Sequence, residues 1–142
     1  MNKLIIHASA TPQDMDIGAE TIDQWHRDRG WKAIGYHHVI RRDGTMEKGR
    51  DLDGDGDVTD EVGAHAAGFN HGSIGICLVG GSRRTNGAMI PDFNFTQSQM
   101  ASLSFLVGEY RTRYPNIEVM GHRDLPGVNK ACPCFDVSSW FS

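Results

Sequence analysis

The chain has 142 residues, 39% of them apolar, and 18 acidic against 14 basic side chains for a net charge of −4 at pH 7. That is one domain with room for a real core. It has no apolar stretch long enough to cross a bilayer, and it lacks the basic balance that a nucleic-acid partner asks for. An anionic substrate met in a local basic groove stays open. The N-terminus lacks the basic, then apolar, then small-residue plan of a signal peptide, so synthesis in the cytoplasm is expected.

Lys3–Ala8 is a short β run, and Ala19–Arg29 follows with helical spacing of Ile22 and Trp25, stopped at Gly30. Tyr36–Arg41 is strand-like, and Arg42-Asp43-Gly44-Thr45 turns the chain back as a hairpin. In Asp51–Glu61, aspartates at 51, 53, 55 and 57 with Gly56 and Val58 resemble a calcium-binding loop, but the twelfth position is Val62 rather than a glutamate. A solvated acidic hairpin is the plainer reading. Ile74–Val79 reads as a buried central strand bounded by Gly80-Gly81, and Gly80–Phe95 reads as surface loop.

Thr96 and Gln99 form a capping box. Behind it Met100, Leu103, Leu106, Val107 and Tyr110 line one helical face until Pro115. Ile117–Met120 is a last strand, and Asp136 caps a short closing helix carrying Val137, Trp140 and Phe141. No repeats or linkers interrupt this order. The expected fold is α/β, a single domain over residues 1–142 with a central mixed sheet flanked by helices.

Seven histidines are a surplus for this length. His26, in a polar stretch of the first helix, reads as solvent-facing. His37 and His38 are adjacent on a strand and point to opposite faces, His38 with Tyr36 and His37 with Val39. His65 sits among small residues in Gly63-Ala64-His65-Ala66, and His71 beside Gly72 in a turn. For each of these alone, a surface or structural role is the favoured reading.

His7 and His122 differ. Each lies at or just past the end of an apolar run, where open α/β sheets build ligand sites. Cys132, between Lys130 and Pro133, adds a soft thiolate. Two imidazoles and a thiolate fill three of the four positions around zinc and leave one for water, the arrangement of a zinc hydrolase. Hydrolysis also needs a further donor or base. Tyr36 and Lys130 qualify by type, though each residue type is more often packing or surface.

Three cysteines without a signal peptide do not make a disulfide framework. Cys77 reads as a buried inert thiol, and Cys132 and Cys134 are too close for an easy bridge. His122-Arg123-Asp124-Leu125 with Asn129 matches a kinase catalytic loop by chance, since every other kinase motif is missing. A metal-free thiol hydrolase with Cys132 as nucleophile and His122 as base stays as an alternative.

The motifs occur in one order. They are His7-Ala8-Ser9-Ala10-Thr11, Gln24-Trp25-His26, Gly30-Trp31, Gly35-Tyr36-His37 and Arg42-Asp43-Gly44-Thr45. Gly63-Ala64-His65-Ala66, Asn70-His71, Ser73 through Gly81, Lys130-Ala131-Cys132-Pro133 and Phe135-Asp136 follow. In this set the chain resembles the type 2 zinc-dependent N-acetylmuramoyl-L-alanine amidases, which include peptidoglycan-recognition proteins and phage lysozymes. The resemblance is strongest to the phage members and covers nearly the whole chain.

It implies zinc on His7, His122 and Cys132, Tyr36 beside the attacking water and Lys130 over the developing oxyanion. His65 would fall in the substrate groove. Recognition-only members typically lack the cysteine, so its presence implies an active enzyme rather than a peptidoglycan-binding module. The implied role is a phage or prophage endolysin that cuts bacterial peptidoglycan between N-acetylmuramic acid and L-alanine. It would be made in the host cytoplasm, reach the wall after a separate release step, and work as a monomer.

Two departures stand out. With six residues before His7, the resemblance implies that the N-terminal arm of the phage relatives is missing here and that Asp51–Glu61 is an insertion beside them. The RNA polymerase contact of a phage relative is not carried over.

Overall fold

The computed structural model describes residues 1–142. In chain order its elements are β1 (Lys3–Ala8), α1 (Ala19–Asp28), β2 (His38–Ile40), β3 (Met46–Lys48), β4 (Ser73–Leu78), β5 (Ser82–Thr85), β6 (Ala88–Pro91), α2 (Gln97–Arg113), β7 (Glu118–Gly121) and α3 (Val137–Trp140). The two most apolar runs become β1 and β4, the inner strands of a five-stranded sheet ordered β3-β2-β4-β1-β7. β2, β4, β1 and β7 are mutually parallel and β3 is antiparallel to β2, so the sheet is mixed as expected.

Strand alternation sorts the two faces. Leu4, Ile6 and Ala8 of β1 and Ile74, Ile76 and Leu78 of β4 pack against Leu103, Leu106, Val107 and Tyr110 of α2. Each Leu, Ile or Val among them contributes about 1.5–3 kcal/mol when fully buried. On the other face Val39, Cys77 and Val79 meet Ile22 of α1, and Ile5 and Met120 meet Ala66 and Leu125. His7, Ser73 and Gly75 share the parity of this second face, where the candidate site lies.

The capping box forms as expected: Thr96 Oγ1 accepts from the Gln99 N–H at 3.0 Å, and Gln99 Oε1 accepts from the Thr96 N–H at 3.0 Å. Gln99 also donates to the carbonyls of Ile40 and Val79, at 3.2 and 2.8 Å, pinning the start of α2 to the ends of the sheet strands. Asp136 caps α3 by accepting from the Ser139 N–H at 3.2 Å. All three cysteines are free, and Cys77 is buried. No helix is long and apolar enough to cross a membrane.

Four expectations are corrected. Gly80–Phe95 is not plain loop but contains the hairpin β5–β6, whose turn Asn86-Gly87 takes φ of +47° and +78°. An Asn-Gly pair favours that left-handed turn. α1 buries Ile22 and His26, one helical turn apart, rather than Trp25, which is exposed. The second strand begins only at His38, so strand alternation does not reach Tyr36. Tyr36 packs on the face of Val39, away from His38. The acidic segment is an exposed loop with one 3₁₀ turn at Val58–Asp60 rather than a hairpin.

Candidate active site

The site lies at the carboxyl ends of β1 and β7. The β1–β7 register pairs Ile6 with Gly121, so the chain leaves β7 beside His7 and enters a 3₁₀ turn at His122. The His7 and His122 rings stand 4.5 Å apart between centroids. The segment after that turn folds back: Arg123 donates its N–H to the Cys132 carbonyl at 2.8 Å, and the Ala8 N–H donates to Cys132 Sγ at 3.2 Å. These two contacts hold Cys132 between the end of β1 and the turn that follows β7. One ring nitrogen each from His7 and His122 and the Cys132 Sγ gather within 4.8 Å of one another.

Tyr36 reaches the same place, with its ring centroid 5.0 Å from that of His7. Lys130 is exposed on the rim and lines two cavities. One, of about 580 Å³, is bordered by Trp31, His65, Asn70, His122 and Asn129. The other, of about 390 Å³, is bordered by Ala10, Met89, Pro91 and Cys132. The donor cluster thus sits where two stretches of groove meet.

The other histidines separate clearly. His37 accepts from the Gly75 N–H on Nδ1 at 3.0 Å and reaches the Glu61 carbonyl through Nε2 at 2.8 Å, so both ring nitrogens are occupied in holding the loop. His38 faces α2 and bonds the Tyr110 hydroxyl at 2.6 Å. His26 corrects the solvent-facing expectation: it is 7% exposed, and its Nδ1 accepts from the Gly35 N–H at 2.9 Å. His71 is exposed beside a turn, as expected. His65 borders the larger cavity and bonds His7, with His7 Nε2 and His65 Nδ1 2.9 Å apart.

Burial sets the protonation states. It holds His7 well below the ordinary histidine range, reinforced by His65, His122 and Lys130. His122 is lowered by burial and then by Lys130. Both imidazoles are therefore neutral near pH 7, the form that binds metal. Burial pushes the Cys132 thiol up to about 11, partly offset by the Ala8 N–H. The nearby Lys130 charge lowers it only in part, so the thiol stays mostly protonated at neutral pH in the absence of metal. Burial, then the Cys77 and Cys132 sulfurs, hold the Tyr36 phenol well above its usual range, so it is a donor rather than a base at neutral pH.

In the acidic loop, oxygens of Asp51, Asp53 and Asp55 lie within 4.8 Å of one another. Asp57 is engaged elsewhere, since its carboxylate accepts from the Thr59 N–H at 2.9 Å and caps the 3₁₀ turn.

Sequence reasoning counts Asn70 and Ser73 among the family motifs but gives neither a role. Asn70 Oδ1 accepts from the N–H groups of His65 and Ala66, both at 2.9 Å, and Ser73 Oγ lies 3.2 Å from His65 Nε2. Their signal is the run of small residues and glycines around them. A Cβ added at Gly63 or Gly75 would come within 2.6 Å of the His65 ring.

Comparison with known proteins places the chain in a family. The family model for N-acetylmuramoyl-L-alanine amidase matches residues 1–135. The endolysin of Enterobacteria phage K11 is 43% identical over 139 residues, covering 98% of this chain and 84% of that protein. Among solved structures, the N-acetylmuramoyl-L-alanine amidase LysC from Clostridium intestinale aligns with a TM-score of 0.75 at 29% identity, covering 99% of this chain and 80% of LysC. Drosophila PGRP-LB aligns with a TM-score of 0.72 at 25% identity, covering 99% and 78%. With its mixed sheet, its His–His–Cys cluster and matches of this extent, the chain belongs to the type 2 N-acetylmuramoyl-L-alanine amidase family.

Proposed function

We propose that the chain is a zinc-dependent endolysin, of a phage or prophage, that hydrolyses the amide between N-acetylmuramic acid and L-alanine in bacterial peptidoglycan. The observation that carries this is the gathering of His7, His122 and Cys132 within 4.8 Å at the meeting of two groove segments. The donor set fits zinc. Two neutral imidazoles and one thiolate, its proton released to solvent when zinc binds, are soft-to-borderline ligands, and three of them leave a tetrahedral position free. Zinc bound there supplies Lewis acidity, polarising the amide carbonyl and acidifying a water.

The chain's own residues supply the rest. The exposed Lys130 on the rim carries the positive charge that offsets the oxyanion as the carbonyl becomes tetrahedral. The protonated Tyr36 phenol, beside His7, donates a hydrogen bond that orients the attacking water. The two cavities on either side of Lys130 suit a substrate that extends both ways from the scissile bond, as a glycan bearing a stem peptide does. The site of action is the cell wall, reached after release from the host cytoplasm.

Purified wall, treated with enzyme before and after exhaustive chelation, tests this. The expected products are stem peptides with a free L-alanine amino group, lost on chelation and restored by added zinc. Binding of muropeptides that leaves them intact would replace the hydrolase with a binding module. Cleavage that survives chelation but not thiol alkylation would reinstate Cys132 as a nucleophile.

A further inference from the structure

A backbone carbonyl can only accept a hydrogen bond, and this fixes the direction of a chain of groups behind His7. Ser73 Oγ lies 2.7 Å from the Phe69 carbonyl and 3.2 Å from that of Asn70. Its one proton is directed there, leaving the oxygen only lone pairs for His65 Nε2 at 3.2 Å. His65 therefore carries its proton on Nε2 and turns a bare Nδ1 toward His7. His7 Nε2, 2.9 Å from that nitrogen, must then hold the proton, and the free lone pair of His7 is on Nδ1.

We infer that His65, backed by Ser73, is a positioning residue that locks His7 in its Nε2–H tautomer, so that Nδ1 is the nitrogen offered to the metal. The inference rests on the zinc reading above. It is carried by geometry on every side of His65. Ser73, His65 and His7 are all buried, at 1%, 8% and 2% exposure, so water does not compete for these bonds. Asn70 fixes the His65 backbone. Gly63 and Gly75 make room for its ring, since a Cβ at either would stand 2.6 Å from it.

Histidine ligands in metal sites generally give their second N–H to an outer partner, commonly a carboxylate or a carbonyl. Here the partner is a neutral imidazole, and the chain ends on a backbone carbonyl. It orients His7 without adding negative charge to the site. Lining the groove and holding His7 are separate roles for His65, and only the second predicts an effect on metal affinity.

The test is zinc affinity, read by competition with a chromophoric chelator, for wild type, His65→Leu and His65→Asn. Loss of an outer partner typically costs about 10–100-fold in metal affinity, and that loss is expected for His65→Leu. His65→Asn places an amide oxygen near the former Nδ1 and should recover most of the affinity. Zinc affinity unchanged in His65→Leu would overturn the inference while leaving the zinc reading standing. A wild type that takes up no zinc overturns both, so the two failures are distinct. Long-range ¹H–¹⁵N spectra of the zinc-loaded wild type need no variant. A His7 proton on Nε2 with metal on Nδ1 is expected, and metal on Nε2 overturns the assignment.

Discussion

Replacing Gly75 with alanine probes the site through one methyl group. Gly75 lies in β4 opposite Ile5 of β1, with an ordinary strand backbone, so alanine brings no conformational strain. Its Cβ would stand 2.6 Å from Cγ, 2.7 Å from Nδ1 and 2.8 Å from Cδ2 of His65. Carbon contacts settle near 3.5–4.0 Å, so the ring must retreat by about 1 Å. That retreat stretches the 2.9 Å contact between His7 and His65 beyond hydrogen-bonding range.

Overpacking a core costs roughly 1–3 kcal/mol, while exchanging glycine for alanine in a strand returns about 0.5–1 kcal/mol. Taking the middle of each range, the net expectation is a loss of about 1 kcal/mol in urea unfolding of the metal-free protein, with zinc affinity down about 10-fold. Gly108→Ala in α2 is the control. Its Cβ meets nothing within 4 Å, so stability should rise by about 1 kcal/mol with zinc affinity unchanged. A Gly75→Ala protein as stable as wild type would refute the packing argument. Lost stability with intact zinc affinity would refute the link from Gly75 through His65 to His7.

The remaining expectations concern catalysis, the helix anchor and pH. Tyr36→Phe and Lys130→Gln should each lower wall hydrolysis about 100-fold with zinc content unchanged; a parallel fall in zinc would make either residue structural. Gln99→Ala removes a fully buried side chain bonded to the Ile40 and Val79 carbonyls and the Thr96 N–H. It should cost about 2–4 kcal/mol in denaturant unfolding; a loss under about 1 kcal/mol would show that water replaces it.

Burial, then His37 and Lys48, lower the His38 pKa to about 4 from an ordinary 6.5. The unfolded chain therefore takes up a proton that the folded one refuses. Stability is full above about pH 6.5 and drains as pH falls toward about 4. Urea midpoints at about pH 7 and about pH 4.5 read this. His38→Gln should narrow the difference between them, and an equal drop in that variant would move the effect to other groups.

Where the fold was legible, local chemistry and burial pointed the same way. The Thr96–Gln99 box and the apolar runs of β1 and β4 state helix start and inner strand without help from distant residues. The Asn86-Gly87 turn escapes the sequence reading, which gives its segment as loop, because the strands β5 and β6 are short and largely exposed and no apolar alternation marks them. His26 looked solvent-facing from its polar neighbours. Its burial is decided by the N–H of Gly35 nine residues on, which local sequence does not reveal.

The same holds at the site. His7 and His122 stand out because strand ends are readable, and they meet because β1 and β7 lie side by side, while Cys132 joins them through contacts with Ala8 and Arg123 that its local sequence does not show. The line from His7 through His65 to Ser73 spans residues 58 and 8 apart. It depends on hydrogen-bond direction and on two glycines that admit a ring, neither of which a spacing rule expresses.

Metal content and wall hydrolysis measured on one preparation, wild type beside Cys132→Ser, test the central claim most directly. The account predicts one zinc per chain and active hydrolysis in wild type, with both lost together in the variant. A Cys132→Ser protein that keeps its zinc but no longer cuts the wall would contradict it, because Cys132 would then be acting on the substrate rather than on the metal.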